Sequence, residues 1–549
     1  MLENAPPPSF WRKVPVDPAY DHWLTMDVRR RVLVVVRTVT TLTRLLDLLS
    51  LIESDRRVQV VFTHDERAPA IFAAGVPEAL AELEASVIPW DQAVASRFDL
   101  AIAASENDAL HRLNAPVLLV PHGIGHQKYY PRGTVVSGLD PARLVHGGRV
   151  VPARIGLSHS NQLRQLDQAC PPALPHAVVI GDPCHDRLLA STHRLARYRR
   201  ALGTEHHTHV VLASTWGPDS LLGSRPELPE RLLAELPYDG YRVSMVLHPG
   251  VWAAHGPRQV RAWLAAARRS GLAVLPPHRG WQATLLAADC VVSDCGSLPL
   301  YAAAAGIPVL IGSPGADTVV PGSPLAELLG RAARLDDRAD LRAQIDQAAT
   351  GDAFTEIAAQ AVEYSGKCAE VLRPLLYELM DLPEPEFRAS FRPLAEPLPA
   401  RADVSAFVAG VRADGDLLDV SRFPAELPRR SGRLPYQHVL AHDELSTLAE
   451  LDGATIDYRE TDAREFPGWA RATARLRPDA RLLVGVTRHE CLVWTPEGDT
   501  VELTTDSTDP LPAVSALYWR ARRDLPLTGR FRYRAGHRVH SCRIVSTSS

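Results

Sequence analysis

Residues 287 to 311 read Ala287-Ala288-Asp289-Cys290-Val291-Val292-Ser293-Asp294-Cys295-Gly296-Ser297-Leu298-Pro299-Leu300-Tyr301-Ala302-Ala303-Ala304-Ala305-Gly306-Ile307-Pro308-Val309-Leu310-Ile311. The apolar run Cys290 to Val292 predicts a buried strand, residues 293 to 297 predict a turn, and residues 298 to 305 predict a helix. A second apolar run, Ile307 to Ile311, predicts the next strand. The stretch is therefore a predicted βαβ unit, the building block of parallel α/β sheets.

The turn of this unit is a candidate phosphate-binding site. Gly296 lets the backbone approach a ligand, and Ser297 adds a hydroxyl at the start of the helix, where free N–H groups favour an anion. Asp289 and Asp294 bracket the strand, and we expect Asp294 to hold the turn rather than to act as an acid. The alternative is that Ser297 is an ordinary helix N-cap without a ligand.

Length and composition limit the class of protein. The chain has 549 residues, which corresponds to roughly three to four domains. Its formal net charge is −4, so it lacks the overall positive charge that would attract a nucleic acid. Seven scattered cysteines without a CxxC pair argue against disulfides and zinc and favour a reducing cytoplasm.

Neither a signal peptide nor a membrane span is expected from the sequence. Residues 1 to 10 have no basic segment followed by an apolar one. Arg37, Arg44 and Asp47 interrupt the most apolar window, Val32 to Ile52. Any membrane contact is therefore expected to be peripheral.

Short apolar runs alternate with helical segments over most of the chain and predict an α/β fold with two Rossmann-like doubly wound domains. We expect an N-terminal extension over residues 1–30, a first domain over 31–153, a second over 154–381, a proline-rich linker over 382–400 and an accessory α+β or β-rich domain over 401–549. Two such domains in tandem place the carboxyl ends of both sheets around one cleft, where open α/β sheets bind ligands.

Loops at three expected strand ends carry residues that suit a nucleotide site. These are His122, Gly123 and Lys128 after one strand, Thr215 and Trp216 after a second, and His248 after a third. Histidine takes up a proton near neutral pH, lysine offsets phosphate charge, and an indole can stack on a base. For each loop the alternative is ordinary turn chemistry, which we favour for Asp182-Pro183.

These segments, in this order, resemble the CDP-glycerol glycerophosphotransferase family. The matching pieces are His122-Gly123 with the following Lys128, Gly181-Asp182-Pro183-Cys184-His185-Asp186, Ala213-Ser214-Thr215-Trp216, His248-Pro249, and Ala288-Asp289 with the segment that ends at Ser297. The sequence departs from the family in two places: the lysine lies one position further from the histidine, and Cys295 and Gly296 stand where the family has tyrosine and serine. The resemblance runs from about His122 to Leu310 and does not extend to the accessory domain.

The resemblance implies a fold of the glycosyltransferase B (GT-B) type, the first domain facing the acceptor and the second the nucleotide donor. It implies that His122 is a general base that deprotonates an acceptor hydroxyl, that His248 contacts the pyrophosphate, and that Ser297 binds phosphate. Gly123, Lys128, Thr215, Trp216 and Gly296 complete the expected substrate site. No cofactor is implied beyond the nucleotide donor, which is a substrate, and no metal or nucleic acid is expected.

The expected function is therefore transfer of glycerol phosphate, or a related group, from a nucleotide donor to an acceptor hydroxyl. The setting implied is cell-envelope polymer assembly, in the cytoplasm or at the inner membrane face. One alternative is a nucleotide-sugar glycosyltransferase or an enzyme like UDP-N-acetylglucosamine 2-epimerase, which should carry acidic residues in the cleft. Another is a non-catalytic binding or regulatory protein that keeps the fold.

Overall fold

The computed structural model describes residues 11–315, 317–487 and 490–546. They form two parallel α/β sheets and a closed β-barrel. Among these residues, no helix is long and apolar enough to cross a lipid bilayer.

The first sheet is parallel and seven-stranded. Its strands and an intervening hairpin (β6, β7) cover Arg30–Val35 (β1), Val58–His64 (β2), Val87–Pro89 (β3), Leu100–Ala103 (β4), Val117–Leu119 (β5), Val145–His146 (β6), Arg149–Val150 (β7), Arg154–Leu157 (β8) and Ala177–Val179 (β9). The strand order is β3-β2-β1-β4-β5-β8-β9, which begins as a Rossmann sheet does. The first sheet therefore extends past the domain boundary expected between residues 153 and 154, because β8 pairs with β5 and β9 pairs with β8.

The second sheet has five parallel strands in the same Rossmann order. They cover Thr208–Ser214 (β10), Tyr241–Leu247 (β11), Ala273–Val274 (β12), Cys290–Ser293 (β13) and Val309–Ile311 (β14). Their order is β12-β11-β10-β13-β14. The β13–β14 pairing is parallel, so the βαβ unit predicted over residues 287 to 311 is confirmed.

Helices cover both faces of these sheets. In chain order they are Val39–Leu49 (α1), Val76–Glu82 (α2), Trp90–Ala95 (α3), Pro141–Leu144 (α4), Gln162–Ala169 (α5), Pro183–Ser191 (α6), Leu195–Leu202 (α7), Leu221–Ser224 (α8), Leu228–Glu235 (α9), Pro249–His255 (α10), Pro257–Trp263 (α11), Ala265–Arg269 (α12), Trp281–Leu286 (α13), Leu298–Ala304 (α14), Pro324–Arg331 (α15), Leu341–Ala349 (α16), Thr355–Ala358 (α17) and Cys368–Leu379 (α18). Short 3-10 helices cover Pro18–Trp23, Leu110–Arg112, Pro171–His176 and Thr192–Arg194. Helix α1 begins at a capping box made by Thr38 and Thr41.

The chain returns to the first sheet near the end of the α/β region. Helix α18 buries Cys368, Leu372 and Leu376 in the same core as β1 and α1. The proline-rich segment that follows contains no helix or strand between residues 382 and 399. It nevertheless packs against the protein, since Phe391 and Leu394 are buried.

The accessory domain is a closed nine-stranded barrel with three helices. Its elements are Ala406–Asp414 (β15), Leu417–Pro424 (β16), His438–His442 (β17), Leu448–Asp452 (α19), Ile456–Glu460 (β18), Phe466–Leu476 (α20), Leu482–Val486 (β19), Cys491–Trp494 (β20), Thr500–Thr505 (β21), Leu511–Ala521 (α21), Gly529–Ala535 (β22) and Arg538–Ser546 (β23). Both parallel and antiparallel pairs occur. The barrel meets the second sheet at the amino ends of β10 and β11, where His537 contacts Thr208 and Gly240, so it lies away from the carboxyl edge.

Candidate functional site

The carboxyl edges of the two sheets face each other across a cleft. In each sheet the strand order reverses between the first and fourth strands, at β1/β4 and at β10/β13, although all the strands are parallel. Ligands of doubly wound folds bind at such reversal points because the flanking loops diverge there. Thr215 and Trp216 follow β10, and Gly296 and Ser297 follow β13, so these four predicted residues flank the reversal point of the second sheet.

Asp294 shapes the turn after β13. Its Oδ2 accepts N–H bonds from Thr215 at 2.7 Å and Leu221 at 2.9 Å, and its Oδ1 accepts one from Gly296 at 2.9 Å. Burial raises the pKa of this carboxyl, and the three backbone bonds act in the opposite direction. Asp294 therefore holds the turn, as the sequence predicts.

Ser297 precedes α14 but does not act as its cap. Its backbone is helical, and its side chain accepts no capping hydrogen bond. We call the part of the molecule built on the first sheet the first half and the part built on the second sheet the second half. The Ser297 hydroxyl lies against Gly123 of the first half, since a Cβ atom on Gly123 would stand 2.8 Å from Ser297 Oγ. Glycine at residue 123 thus permits the close approach of two loops that belong to different sheets.

His122 lies in the loop that follows β5, three residues after the strand ends at Leu119, and it is exposed. The protein groups that crowd its other sides lower its pKa; the negative charge of Glu106 opposes this, and the positive charges of Arg44 and Lys128 reinforce it. A neutral imidazole that faces the cleft can accept a proton from a bound hydroxyl.

Lys128 reaches across the cleft to the second half. Its Nζ lies 3.8 Å from Cys295 Sγ, and its backbone forms an isolated bridge to Val319. The ammonium group is therefore beside the turn that carries Gly296 and Ser297. His126 points elsewhere, since it is buried and its Nδ1 lies 2.9 Å from the Ser137 carbonyl.

His248 enters the cleft from the end of β11. Its Nδ1 accepts the Gly250 N–H at 2.9 Å, which leaves the ring proton on Nε2 in the neutral form. That Nε2 lies 3.4 Å from Thr40 Oγ1 of the first half. Burial, with smaller effects from His122 and Lys128, lowers the pKa of His248 to about 3. His248 is therefore a neutral hydrogen-bond donor at neutral pH.

Trp216 lies at the rim of the cleft and is 38% exposed. Phe72, from the loop before α2, contacts it with 5.0 Å between ring centroids. Phe72 also borders Gly250 beside His248. The two aromatic rings thus come from opposite halves and close one side of the cleft.

Sequence reasoning missed Glu106, a carboxylate in the first half. It follows β4 as His122 follows β5, and this shared position at a strand end was the available signal. Glu106 is 3% exposed, and its Oε1 accepts hydrogen bonds from the Tyr130 hydroxyl and, at 2.8 Å, from the Gly138 N–H. It is an oriented negative charge close to His122.

Three histidines, His206, His207 and His209, lie close together in sequence near the start of β10. His209 is fully buried, with ring nitrogens 3.0 Å from the Ala287 carbonyl and 2.8 Å from Ser244 Oγ. The described residues contain no group of three or more His, Cys, Asp or Glu side chains that could hold a metal ion. Asp182 caps α6 by accepting the His185 N–H at 2.9 Å, as turn chemistry predicts.

Comparison with known proteins finds similar structures only. No protein-family model and no curated protein matches the chain. The wall teichoic acid polymerase TagF is 13% identical, with a TM-score of 0.40, over 65% of this chain and 90% of its own. The Anabaena protein HepE in complex with UDP and glucose is 14% identical, with a TM-score of 0.37, over 64% of this chain and 100% of its own. The UDP-GlcNAc 2-epimerase from Neisseria meningitidis bound to UDP-GlcNAc is 12% identical, with a TM-score of 0.39, over 64% and 99%.

Proposed function

We propose that this chain is a transferase that binds a nucleotide-activated donor in the cleft and moves glycerol phosphate, or a related group, to an acceptor hydroxyl. One observation carries the proposal: loops of the two sheets meet in the cleft, where Lys128 Nζ lies 3.8 Å from Cys295 Sγ and His248 Nε2 lies 3.4 Å from Thr40 Oγ1. His122 is close enough to this place to lower the pKa of His248. The resemblance of the strand-end loops to CDP-glycerol glycerophosphotransferases supports the choice of donor.

Each group has a role that follows from its chemistry. His122 accepts the proton of the acceptor hydroxyl, whose oxygen attacks the glycerol-bearing phosphorus, and the bond from that phosphorus to the CMP oxygen breaks. Lys128 offsets the charge of the diphosphate, and His248 donates from Nε2 to one of its oxygens. Thr215 and Trp216 border the space for the nucleoside. Catalysis is thus positioning and charge stabilisation rather than covalent chemistry.

Glu106 supports a second candidate, a reaction of a nucleotide sugar such as 2-epimerisation. Proton abstraction from a sugar carbon calls for a carboxylate or imidazole base in the cleft, and Glu106 is a carboxylate whose charge acts on His122. Its Oε1 is already occupied by Tyr130 and Gly138. We therefore rank this candidate below transfer to a hydroxyl.

Ligand binding separates these functions. Thermal unfolding should be measured with CDP-glycerol, CMP, UDP-glucose and UDP-GlcNAc, each in turn. A ligand present at 100 times its Kd stabilises the folded protein by about 2.7 kcal/mol. Stabilisation by CDP-glycerol and CMP supports the transferase, and stabilisation by the UDP-sugars alone supports the second candidate. If no nucleotide raises the melting temperature, the proposal fails and the alternative of a non-catalytic binding or regulatory protein is favoured.

Replacement of His122 tests its role as the base. We expect His122→Ala to lower kcat by roughly 10²- to 10⁴-fold and to leave CMP affinity unchanged, because the proposal assigns His122 to the acceptor and not to the nucleotide. His193→Ala is the matched control, since His193 is exposed and lies in the 3-10 helix Thr192–Arg194, outside the strand-end loops that carry the candidate site. Turnover near the wild-type rate in His122→Ala would remove this residue from the mechanism.

A further inference from the structure

A buried polar network joins the two halves next to the His122 loop. Arg44 lies on α1, Asp182 caps α6 and Tyr301 lies on α14; none of the three is more than 6% exposed. Arg44 Nη2 donates to the Tyr301 hydroxyl at 2.6 Å, and that hydroxyl donates to Asp182 Oδ2 at 2.8 Å. Arg44, Asp182 and Gly123 line the same small cavity, which places the network directly beside the candidate base.

Asp47 completes the charge balance of this network. It lies on α1 with Oδ2 3.5 Å from Arg44 Nη1, and its Oδ1 accepts from Arg187 at 2.5 Å. Gln282 of α13 also donates to Asp47, at 3.2 Å and 3.3 Å. Two arginines and two aspartates, Arg44, Arg187, Asp47 and Asp182, are therefore paired here, and Tyr301 and Gln282 meet them through uncharged polar groups.

Helix α14 carries both an anchor and a candidate site residue. Tyr301 is one turn after Ser297, and its N–H donates to the Ser297 carbonyl at 3.3 Å. Ser297 in turn touches Gly123, the neighbour of His122. The Tyr301 hydroxyl thus connects the first residues of α14 to a side chain of the first half.

We propose that Arg44 is a positioning residue: through the Tyr301 hydroxyl it holds α14 so that Ser297 stays against the loop that carries His122. This inference rests on the proposed function, since it assigns Arg44 to the alignment of base and donor. Charged groups are costly to bury, and a buried hydrogen-bonded network of them is satisfied in few arrangements. Such a network therefore suits a contact that must keep two helices at a fixed distance. A misplacement of about 1 Å in such a site can cost on the order of 10²-fold in rate.

Arg44 also acts on His122 through its charge, which supplies a second readout. The ionisable groups that face His122 are Arg44 from α1, Glu106 from the loop after β4, Lys128 and His126 from its own loop, and His248 from the end of β11. Because the positive charge of Arg44 lowers the pKa of His122, its removal should raise that pKa. Removal of the Tyr301 hydroxyl should leave it unchanged.

The test uses Tyr301→Phe and Arg44→Met in the full chain. Turnover of CDP-glycerol gives kcat and KM, and an NMR titration of histidine-labelled protein gives the pKa of His122, whose signal is identified by its loss in His122→Gln. We expect both variants to lower kcat by roughly 10- to 100-fold with little change in KM. Only Arg44→Met should raise the pKa of His122. If Arg44→Met does not fold, Arg44→Lys takes its place; it keeps the charge and loses the Tyr301 bond, so kcat falls and the pKa stays.

Arg422→Met is the matched control. Arg422 is also fully buried and joins two units, through Asp239 at 2.6 Å and Asp509 at 2.5 Å, but it lies at the barrel. It should lower the melting temperature while kcat and the pKa of His122 stay at wild-type values.

Three results would overturn the positioning role: wild-type kcat in Tyr301→Phe, an unchanged His122 pKa in Arg44→Met, or the same changes in Arg422→Met. The titration needs no turnover, so it tests by itself whether the charge of Arg44 acts on His122. Failure of the proposed function is a different result, namely a wild-type protein that neither binds CMP nor turns over CDP-glycerol.

Discussion

At the scale of single residues, Asp294 holds together the two loops by which the second sheet borders the cleft. It is 1% exposed, and its carboxylate accepts three backbone N–H bonds from two different loops. Loss of the carboxylate leaves these donors without their partner in a buried place, and each such group is expensive.

We therefore expect Asp294→Ala to lower the free energy of unfolding by about 3 kcal/mol, measured by chemical denaturation. Asp219→Ala is a control from a neighbouring loop, because Asp219 is exposed and its loss should change stability by less than about 0.5 kcal/mol. Equal stability of the two variants would contradict the role given to Asp294.

The proposed role of His122 as the general base predicts how the reaction rate depends on pH. Its lowered pKa means that the basic form is already present at pH 6.5, so kcat/KM should fall only when the pH drops below this value. Because Glu106 raises the pKa of His122, Glu106→Gln should move the acid limb to lower pH. A profile of kcat/KM against pH for both proteins checks this, and an unmoved limb in Glu106→Gln argues against the coupling.

At the scale of elements, two glycines at helix ends have the same backbone conformation but different surroundings. Gly306 follows α14 and Gly181 precedes α6, and both have φ of +75°. A Cβ atom on Gly306 would meet nothing within 4 Å, whereas one on Gly181 would stand 2.7 Å from the backbone oxygen of Glu363. The connection into α6 is thus packed against a distant loop, and the end of α14 is open.

The two positions make a matched pair of alanine substitutions. Gly306→Ala should cost about 1 kcal/mol of unfolding free energy, the strain of a left-handed residue with a side chain. Gly181→Ala should cost clearly more, because the segment around Glu363 must move as well. Denaturation curves recorded side by side decide this, and a Gly181→Ala protein as stable as Gly306→Ala shows that the segment yields freely.

At the scale of the whole molecule, buried neutral histidines are spread over the second half and the barrel. Burial is the main cause of their low pKa values, which are about 3 for His207 and His248 and about 4 for His209 and His438. In the unfolded chain each would titrate near 6.5. Between about pH 4 and 6.5 the unfolded chain therefore binds more protons at these residues than the folded one.

Folded stability should consequently fall as the pH drops from about 6.5 towards 4. Four buried carboxyls among the described residues act in the opposite direction: burial raises the pKa of Asp186 and Asp457 to about 6 and raises that of Asp108 and Asp294 as well. Nine of the described histidines have a lowered pKa, however, so the histidines outnumber these carboxyls. Melting temperatures measured between pH 7.5 and 4.5 test the sign. His438→Gln should make the dependence shallower, and a melting temperature that rises on acidification contradicts the assignment.

The local pattern of the sequence predicted much of the α/β architecture. The strand before Asp294 and the helix expected over residues 298 to 305 agree with β13 and α14, because burial repeats with the period of each element. The same pattern could not say which sheet Arg154–Leu157 joins. A parallel strand is apolar on both faces wherever it lies, and its partner is chosen by contacts with chain far away in sequence.

What the sequence by itself determined is the series of strands and helices and the reactive side chains at the strand ends, among them His122, His248 and Ser297. Only the tertiary structure decided that Gly123 touches Ser297, that Arg44 is buried beside the cleft rather than displayed on a helix surface, and that the accessory strands close into a barrel. The physical reason is that periodicity records how buried each residue is, whereas its neighbours, its charge environment and its hydrogen-bond partners come from segments brought together by folding.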